Sequence, residues 1–278
     1  MRNLITVLLM LLVGCSTVPE KEKVEVEQTE QQETRNQPVK QTQDPEAVNS
    51  VFKQFPNAEQ GDVILRMARG IPKWKETFHH GWWECGVQYK HDEEQKEAAL
   101  IWAYRIVELA NEYSDDEFTM NPWGIAGTVA NESGFDKCAL GEWLREWAYE
   151  EKAMKKKRGG AISHSIKELR PWLFKPKVLA SYQRTGFDCG PMQELWKCNE
   201  EGFCRSIYWD RDTPSISFDK MFTMDIHFDW NVRELRRRAR VNNTDRPWGT
   251  WRTGKYAKWY DKKVTRWARY MGAKKGEI

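Results

Sequence analysis

The chain is 278 residues long and carries 44 basic against 41 acidic side chains, a formal net charge of +3, with 15 tryptophans and six cysteines. No Cys-x-x-Cys pair occurs and none of the five histidines has the spacing of a zinc pair, so the composition argues against a zinc module and implies neither metal nor cofactor. The charge is uneven: residues 15–46 hold eight acids and four bases, and residues 47–278 carry a net +6.

Residues 1–15 read MRNLITVLLMLLVGC. Arg2 precedes an apolar stretch, Leu4 to Val13, that is too short to span a bilayer, and Gly14 is a small residue at the cleavage position of an export signal. Leu12-Val13-Gly14-Cys15 resembles a bacterial lipoprotein lipobox. The resemblance implies a signal peptide over 1–14, cleavage before Cys15 and acylation of Cys15, whose several acyl chains anchor durably in a membrane. Ser16 after the lipidated cysteine implies the cell envelope, at the periplasmic face of the outer membrane. The segment up to residue 46 has no aromatic residue or glycine, is rich in Gln and Glu, and is interrupted by Pro19 and Pro38. Such a composition cannot bury enough apolar surface to offset chain entropy, which predicts a disordered tether over 15–46. Export argues against a nucleic-acid partner for the basic remainder. Peptidoglycan, with its carboxylate-bearing peptide stems, is the acidic polymer of that compartment. Lys155 to Arg158 reads as a solvated basic run entering a Gly159-Gly160 turn, with contact to an acidic polymer as the alternative.

The following residues suffice for one large domain, and their strongest periodic signals are helical. Glu97 to Tyr113 sets Leu100, Ala103, Tyr104, Val107 and Ala110 on one face at steps of three and four. Asn121-Pro122 reads as an N-cap followed by proline at the first helical position, opening a helix to about Ser133, where Gly134 suits a left-handed helix end. Further helices are predicted from about Trp230 to Arg240 and from Lys255 to Met271. Strand signals are few, the best being Ser215 to Phe218. The class is mostly α. Most of the tryptophans are expected in the core, with the rest available to stack on sugar rings in a groove.

Residues 124–141, GIAGTVANESGFDKCALG, put a carboxylate at the end of a run patterned for burial. Glu132 follows Val129 by three residues, Thr128 by four and Ile125 by seven, so on a helix it shares their apolar face. A carboxyl group there loses hydration, which disfavours its charged form and raises its pKa. An acid that keeps its proton near neutral pH can protonate a leaving oxygen, as glycosidic cleavage requires. The plainer reading is a glutamate at a helix end that turns outward into water.

Three stretches in order favour the first reading. Glu132-Ser133-Gly134-Phe135 resembles the Glu-Ser-x-Phe signature of lysozyme-like lytic transglycosylases of the soluble-transglycosylase and goose-lysozyme type, which cleave peptidoglycan strands. Gly190-Pro191-Met192-Gln193 resembles their second motif, commonly Gly-Leu-Met-Gln. Tyr260 with Val264 one helical turn later resembles the last. The resemblance covers roughly residues 118 to 270. It implies a lysozyme-like α+β domain over 118–278, with residues 47–117 as an N-terminal helical extension packed on it. It implies Glu132 as the catalytic acid and base, Ser133 near the reacting sugar, Met192 and Gln193 lining the groove, and the Tyr260 hydroxyl beside Glu132. The bond cleaved would join N-acetylmuramic acid to N-acetylglucosamine and leave 1,6-anhydro ends. Asp229, in a shortened form of the family's Asp…Asn helix start, would cap its helix.

The sequence also departs from the pattern. Residues 142–183 form an insertion between the first two motifs, Pro191 stands where the family often has Leu, and no Ala-Tyr-Asn-Ala-Gly motif occurs; Asn242, Asn243 and Trp251 occupy that region. Export permits disulfides. Cys198 and Cys204 flank a short loop and are expected to close it. A bridge between Cys138 and Cys189 would tie the first two motifs together and leave Cys85 free or otherwise paired. A hydrolytic muramidase is the alternative chemistry, with Asp136, Asp188 or Glu194 as the second carboxylate. A non-catalytic peptidoglycan-binding lipoprotein is the alternative from another class.

Overall fold

The helix from Pro122 to Glu132 is nearly all apolar, and its residues Trp123 to Ala130 are buried, as expected of a helix that is hydrophobic all round. The rest of the fold is built about it. The structure is a computed structural model that describes residues 58–79, 81–152, 166–208 and 214–278. The signal over 1–14, Cys15, the tether to residue 46 and the basic run Lys155 to Arg158 lie outside the described residues.

In chain order, α1 (Ala58–His79) leads into a hairpin of β1 (Trp82–Glu84) and β2 (Val87–Tyr89), and then α2 (Asp92–Glu112) and α3 (Pro122–Glu132) follow. Next come α4 (Glu142–Glu150), α5 (Ile166–Leu173) and α6 (Pro176–Thr185). An antiparallel meander is formed by β3 (Phe187–Cys189), β4 (Glu194–Cys198), β5 (Phe203–Ser206) and β6 (Ile216–Ser217). After α7 (Phe218–Met221), a π-helical turn at Met224–Phe228 runs into α8 (Asp229–Asn242), and a 3-10 turn at Pro247–Thr250 precedes α9 (Lys258–Tyr270). The described part is mostly helical with a small sheet, an α-rich α+β arrangement.

Several boundaries follow from local chemistry. Asn121 caps α3 by accepting hydrogen bonds from the Trp123 and Gly124 amides. At the other end Gly134 takes φ +62° and its amide returns to the Val129 carbonyl at 3.0 Å, a conformation that glycine adopts without strain. α2 begins five residues before the apolar periodicity, because Asp92, Glu93 and Glu94 favour the positive end of the helix dipole. Ala103, Val107 and Ala110 of the expected face are buried, and the buried face extends to Ala99, Trp102, Ile106 and Leu109, while Leu100 and Tyr104 sit at its edge. The indole of Trp102 takes the centre, between Phe135 and Phe228. Asp229 does not cap α8; the π-turn leads straight in, and its carboxylate instead accepts from the Tyr113 hydroxyl at 3.0 Å. The predicted strand at Ser215 shrinks to Ile216–Ser217, because Phe218 starts a helical turn.

Two apolar clusters result. The first joins α1, α2, α3, α8 and α9 in one core, so the helices before residue 117 share their interior with the segment that follows. The second lies under the meander and takes in α4, α5, α6 and α7. Each fully buried large side chain contributes roughly 1.5–3 kcal/mol relative to its exposed state. The buried indoles of Trp74, Trp102, Trp123 and Trp248 make the first cluster the larger reservoir. Among the described residues, no helix is long and apolar enough to cross a membrane.

The disulfides agree in part with expectation. Cys198–Cys204 joins directly paired residues of β4 and β5. The Cys138–Cys189 bridge is not formed: Cys138 pairs with Cys85 in the β1–β2 turn, and Cys189 is a buried free thiol. The physical reason is that main chain already ties the two motifs. Leu140 and Cys189 form an antiparallel bridge, with the Gly141 amide donating to the Asp188 carbonyl at 2.7 Å and the Gly190 amide to the Ala139 carbonyl at 2.8 Å.

Candidate active site

The helices α3 and α9 lie against each other so closely that a Cβ on Gly127 would stand 2.4 Å from the Val264 carbonyl oxygen. This approach brings the end of α3 beside the start of α9. There the Tyr260 hydroxyl donates to Glu132 Oε1 at 2.5 Å, and Asn131 Nδ2 donates to the same oxygen at 2.9 Å. On the other side, Arg252 Nη1 stands 3.6 Å from Glu132 Oε2. The Glu132 side chain is only 5% exposed, whereas Arg252 is 52% exposed. Burial pushes the Glu132 carboxyl above the ordinary carboxylate range; Tyr260, Arg252 and Asn131 oppose that push, and the neighbouring charge of Asp188 adds to it.

Glu132 opens on a groove of about 880 Å³. Trp74 and Tyr260 of the first cluster line it together with Ser133, and Leu140 of the second cluster does so with Trp143 and Asp188. Trp143 and Trp259, both on the groove, are among the exposed large apolar side chains of the described residues, and this geometry suits stacking on sugar rings.

The other residues of the sequence reading fall differently. Ser133 lines the groove, but its hydroxyl donates back to the Val129 carbonyl at 3.2 Å and so helps to close the helix end. Gln193 also lines it, in a left-handed conformation (φ +54°), with Nε2 donating to the Ala139 and Gly190 carbonyls. Met192 does not line the groove: its side chain is fully buried in the first cluster. What it contributes is backbone, since its amide donates to Asn231 Oδ1 at 3.2 Å and its carbonyl accepts from Trp251 Nε1 at 2.7 Å. Gly190 is required at the start of this turn, because a Cβ there would stand 1.9 Å from the ring of His227. That ring is buried and accepts from Trp196 Nε1 at 2.9 Å, and burial lowers its pKa to about 3.

The three candidate second carboxylates separate clearly. Glu194 is buried beneath the meander, where it accepts from the Ser206 hydroxyl and from Asn231 Nδ2. Asp136 reaches the groove wall, yet its Oδ1 accepts from the amides of Cys85 and Cys138 and so braces the disulfide. Behind it lies buried Lys75, whose pKa burial lowers to about 8 against the pull of Asp136 and Glu84. Asp188 also lines the groove and is the one of the three whose charge raises the pKa of Glu132; burial raises its own pKa and Arg252 opposes. Cys85, Asp136 and Cys138 are close enough to resemble a ligand set, but both sulfurs are joined in the disulfide, which leaves no thiolate to bind a metal.

Arg252 is the residue that sequence reasoning missed. The signal available for it was its place next to Trp251, in the region where the third motif is expected. Of that region's residues, Trp251 buttresses the Met192 turn, Asn242 Nδ2 donates to the Arg238 carbonyl, and Asn243 ends α8 in a left-handed conformation.

Compared with known proteins, the chain matches no family model, no curated protein and no solved structure.

Proposed function

We propose that the chain is a peptidoglycan lytic transglycosylase, built on a lysozyme-like helical domain and anchored to the cell envelope through lipidated Cys15. The observation that carries this reading is Glu132: a carboxyl group buried at a groove, its pKa raised by desolvation, and hydrogen-bonded by a tyrosine from the helix that holds the last motif. In the reaction, Glu132 gives its proton to the glycosidic oxygen between muramyl and glucosaminyl residues as the bond to C1 breaks. The carboxylate so formed then takes the proton of the muramyl 6-hydroxyl, whose oxygen closes on C1 to give the 1,6-anhydro end. One carboxyl group serves both steps because the nucleophile belongs to the substrate and is held at high effective concentration. Tyr260 and Asn131 hold the carboxylate in place between the two proton transfers.

Asp188 supports a second reading, hydrolysis by a muramidase in which it would act as the partner carboxylate. Product chemistry separates the two. Muropeptides released from purified peptidoglycan and weighed by mass spectrometry are expected to be lighter by one water than hydrolytic products, and Glu132→Gln is expected to release none. Reducing ends from the wild-type chain would establish the hydrolase. Failure of the wild-type chain to release any product would leave it a binding protein.

A further inference from the structure

Arg252 is held out into the groove on a stiff support. The carbonyls of Thr250 and Trp251 both accept from Nη1 of the buried Arg238 at 2.7 Å, and Arg238 Nε is itself paired with buried Glu234 at 2.8 Å. The Trp251 indole is pinned to the Met192 carbonyl, and the Gly254 amide returns to the Thr250 carbonyl at 2.9 Å. So much buried hydrogen bonding beneath one half-exposed arginine fixes its backbone while leaving its guanidinium to solvent and substrate. Among the described residues it makes one ion pair, to Glu132, at a distance longer than a hydrogen bond.

The position limits what Arg252 can grip. A glycosidic oxygen protonated by Glu132 must lie within about 3 Å of that carboxyl. A group held by a guanidinium 3.6 Å from the same carboxyl therefore sits on one of the two sugars that share the scissile bond. Of the substituents on those sugars, the one that can carry a negative charge for a guanidinium to pair with is the muramyl lactyl group. Its terminus is a neutral amide when a peptide stem is attached and a carboxylate when the stem has been removed. The acids of a stem begin a full amino-acid residue further out. A planar guanidinium pairs with a carboxylate through two parallel hydrogen bonds and with an amide oxygen far more weakly.

From this geometry, and resting on the transglycosylase reading, we infer that Arg252 selects glycan strands whose reacting muramyl residue carries a free lactyl carboxylate, that is, strands stripped of their peptide stems. Engaging that carboxylate also draws the Arg252 charge away from Glu132, which favours the protonated acid at the moment it is needed.

The test compares one preparation of glycan strands before and after stem removal by an amidase. Cleavage by the full chain gives kcat/KM, and binding is read separately with Glu132→Gln. The wild type is expected to favour stripped strands by at least roughly tenfold in kcat/KM, and Glu132→Gln to bind them more tightly. Arg252→Gln is expected to abolish the preference, and Arg252→Lys to keep a part of it. Equal rates on the two substrates in the wild type, or a preference that survives in Arg252→Gln, would overturn the inference while leaving the transglycosylase intact. Neither cleavage nor binding of either substrate would overturn both.

Discussion

Replacing Tyr260 by Phe isolates the chemistry of one oxygen atom. The ring of Tyr260 is 1% exposed and packs in the first cluster, so Phe preserves the packing and deletes only the hydroxyl that donates to Glu132 Oε1 at 2.5 Å. A hydrogen bond to an ionised carboxylate contributes about 1.5–3 kcal/mol and a neutral one about 1 kcal/mol. The difference, on the order of 1 kcal/mol, corresponds to a rise of about one pKa unit in Glu132. The sign follows from the protonation that catalysis needs. In the proposed reaction Glu132 acts first as an acid, so kcat/KM is expected to fall as pH rises through its pKa, and in Tyr260→Phe that falling limb is expected to move up by about one unit. Stability moves in the same frame. Because burial already holds the folded-state pKa of Glu132 above its unfolded value, the fold loses stability as pH rises from the ordinary carboxylate pKa through the folded one. The variant extends that window upward and loses more, so its deficit against wild type is larger at pH 9 than at pH 3. Rates from muropeptide release and urea midpoints across that range measure both effects. A limb that stays in place or moves down would show that Tyr260 does not stabilise the ionised acid. An equal deficit at both ends would assign its role to packing.

Glu132→Gln removes a desolvated ionisable group, so it is expected to raise the urea midpoint at pH 8 while abolishing product release, with the stability gain vanishing below a pH of about 4. Asp188→Asn is expected to retain release with anhydro ends by mass spectrometry; loss of release would promote Asp188 to partner acid. Gly127→Ala forces a Cβ to within 2.4 Å of the Val264 carbonyl oxygen. Such overpacking is expected to cost roughly 1–3 kcal/mol or more in urea unfolding, with activity falling as Tyr260 is displaced. Removing Cys85–Cys138, which closes a 53-residue separation, is expected to cost about 4 kcal/mol against about 2 kcal/mol for Cys198–Cys204 with its separation of 6, from the difference in loop-closure entropy.

The legible parts of the chain were those in which local chemistry and tertiary packing agree. Asn121-Pro122 and Gly134 bracket α3 because a cap, a helix-opening proline and a left-handed glycine act within a few residues of themselves. The step of three, four and seven from Val129, Thr128 and Ile125 located Glu132 on a buried face for the same reason. Met192 was misread because a motif identifies a turn without saying which of its atoms faces outward; here the backbone serves and the side chain fills the core. The pairing of Cys85 was hidden because it depends on a hairpin of three-residue strands, too short for alternation to register. Helices α4 to α6 went unread because the stretch was recognised only as an insertion. Arg252 carries no local signature beyond its place beside Trp251, since its importance arises only when α9, the 3-10 turn and the Met192 turn converge.

That convergence explains how an acid can be kept both dry and available. For the proposed reaction the buried carboxyl of Glu132 must exclude water to hold its proton, yet it must also meet a polymer. The fold solves this by dividing the tasks among three supports. Gly127 lets α9 approach until Tyr260 seals one side of the carboxyl, and the Ala139 to Gly141 segment bridges to β3 to build the facing wall without covering it. The Arg238–Glu234 pair beneath Trp251 then holds half-exposed Arg252 at the mouth. Burial sets the direction of the pKa shift, and the hydrogen bonds and the Arg252 charge oppose it. In the proposed reaction, a carboxyl held in this balance would change its protonation when the groove fills, which is the condition that a single acid and base working in turn requires.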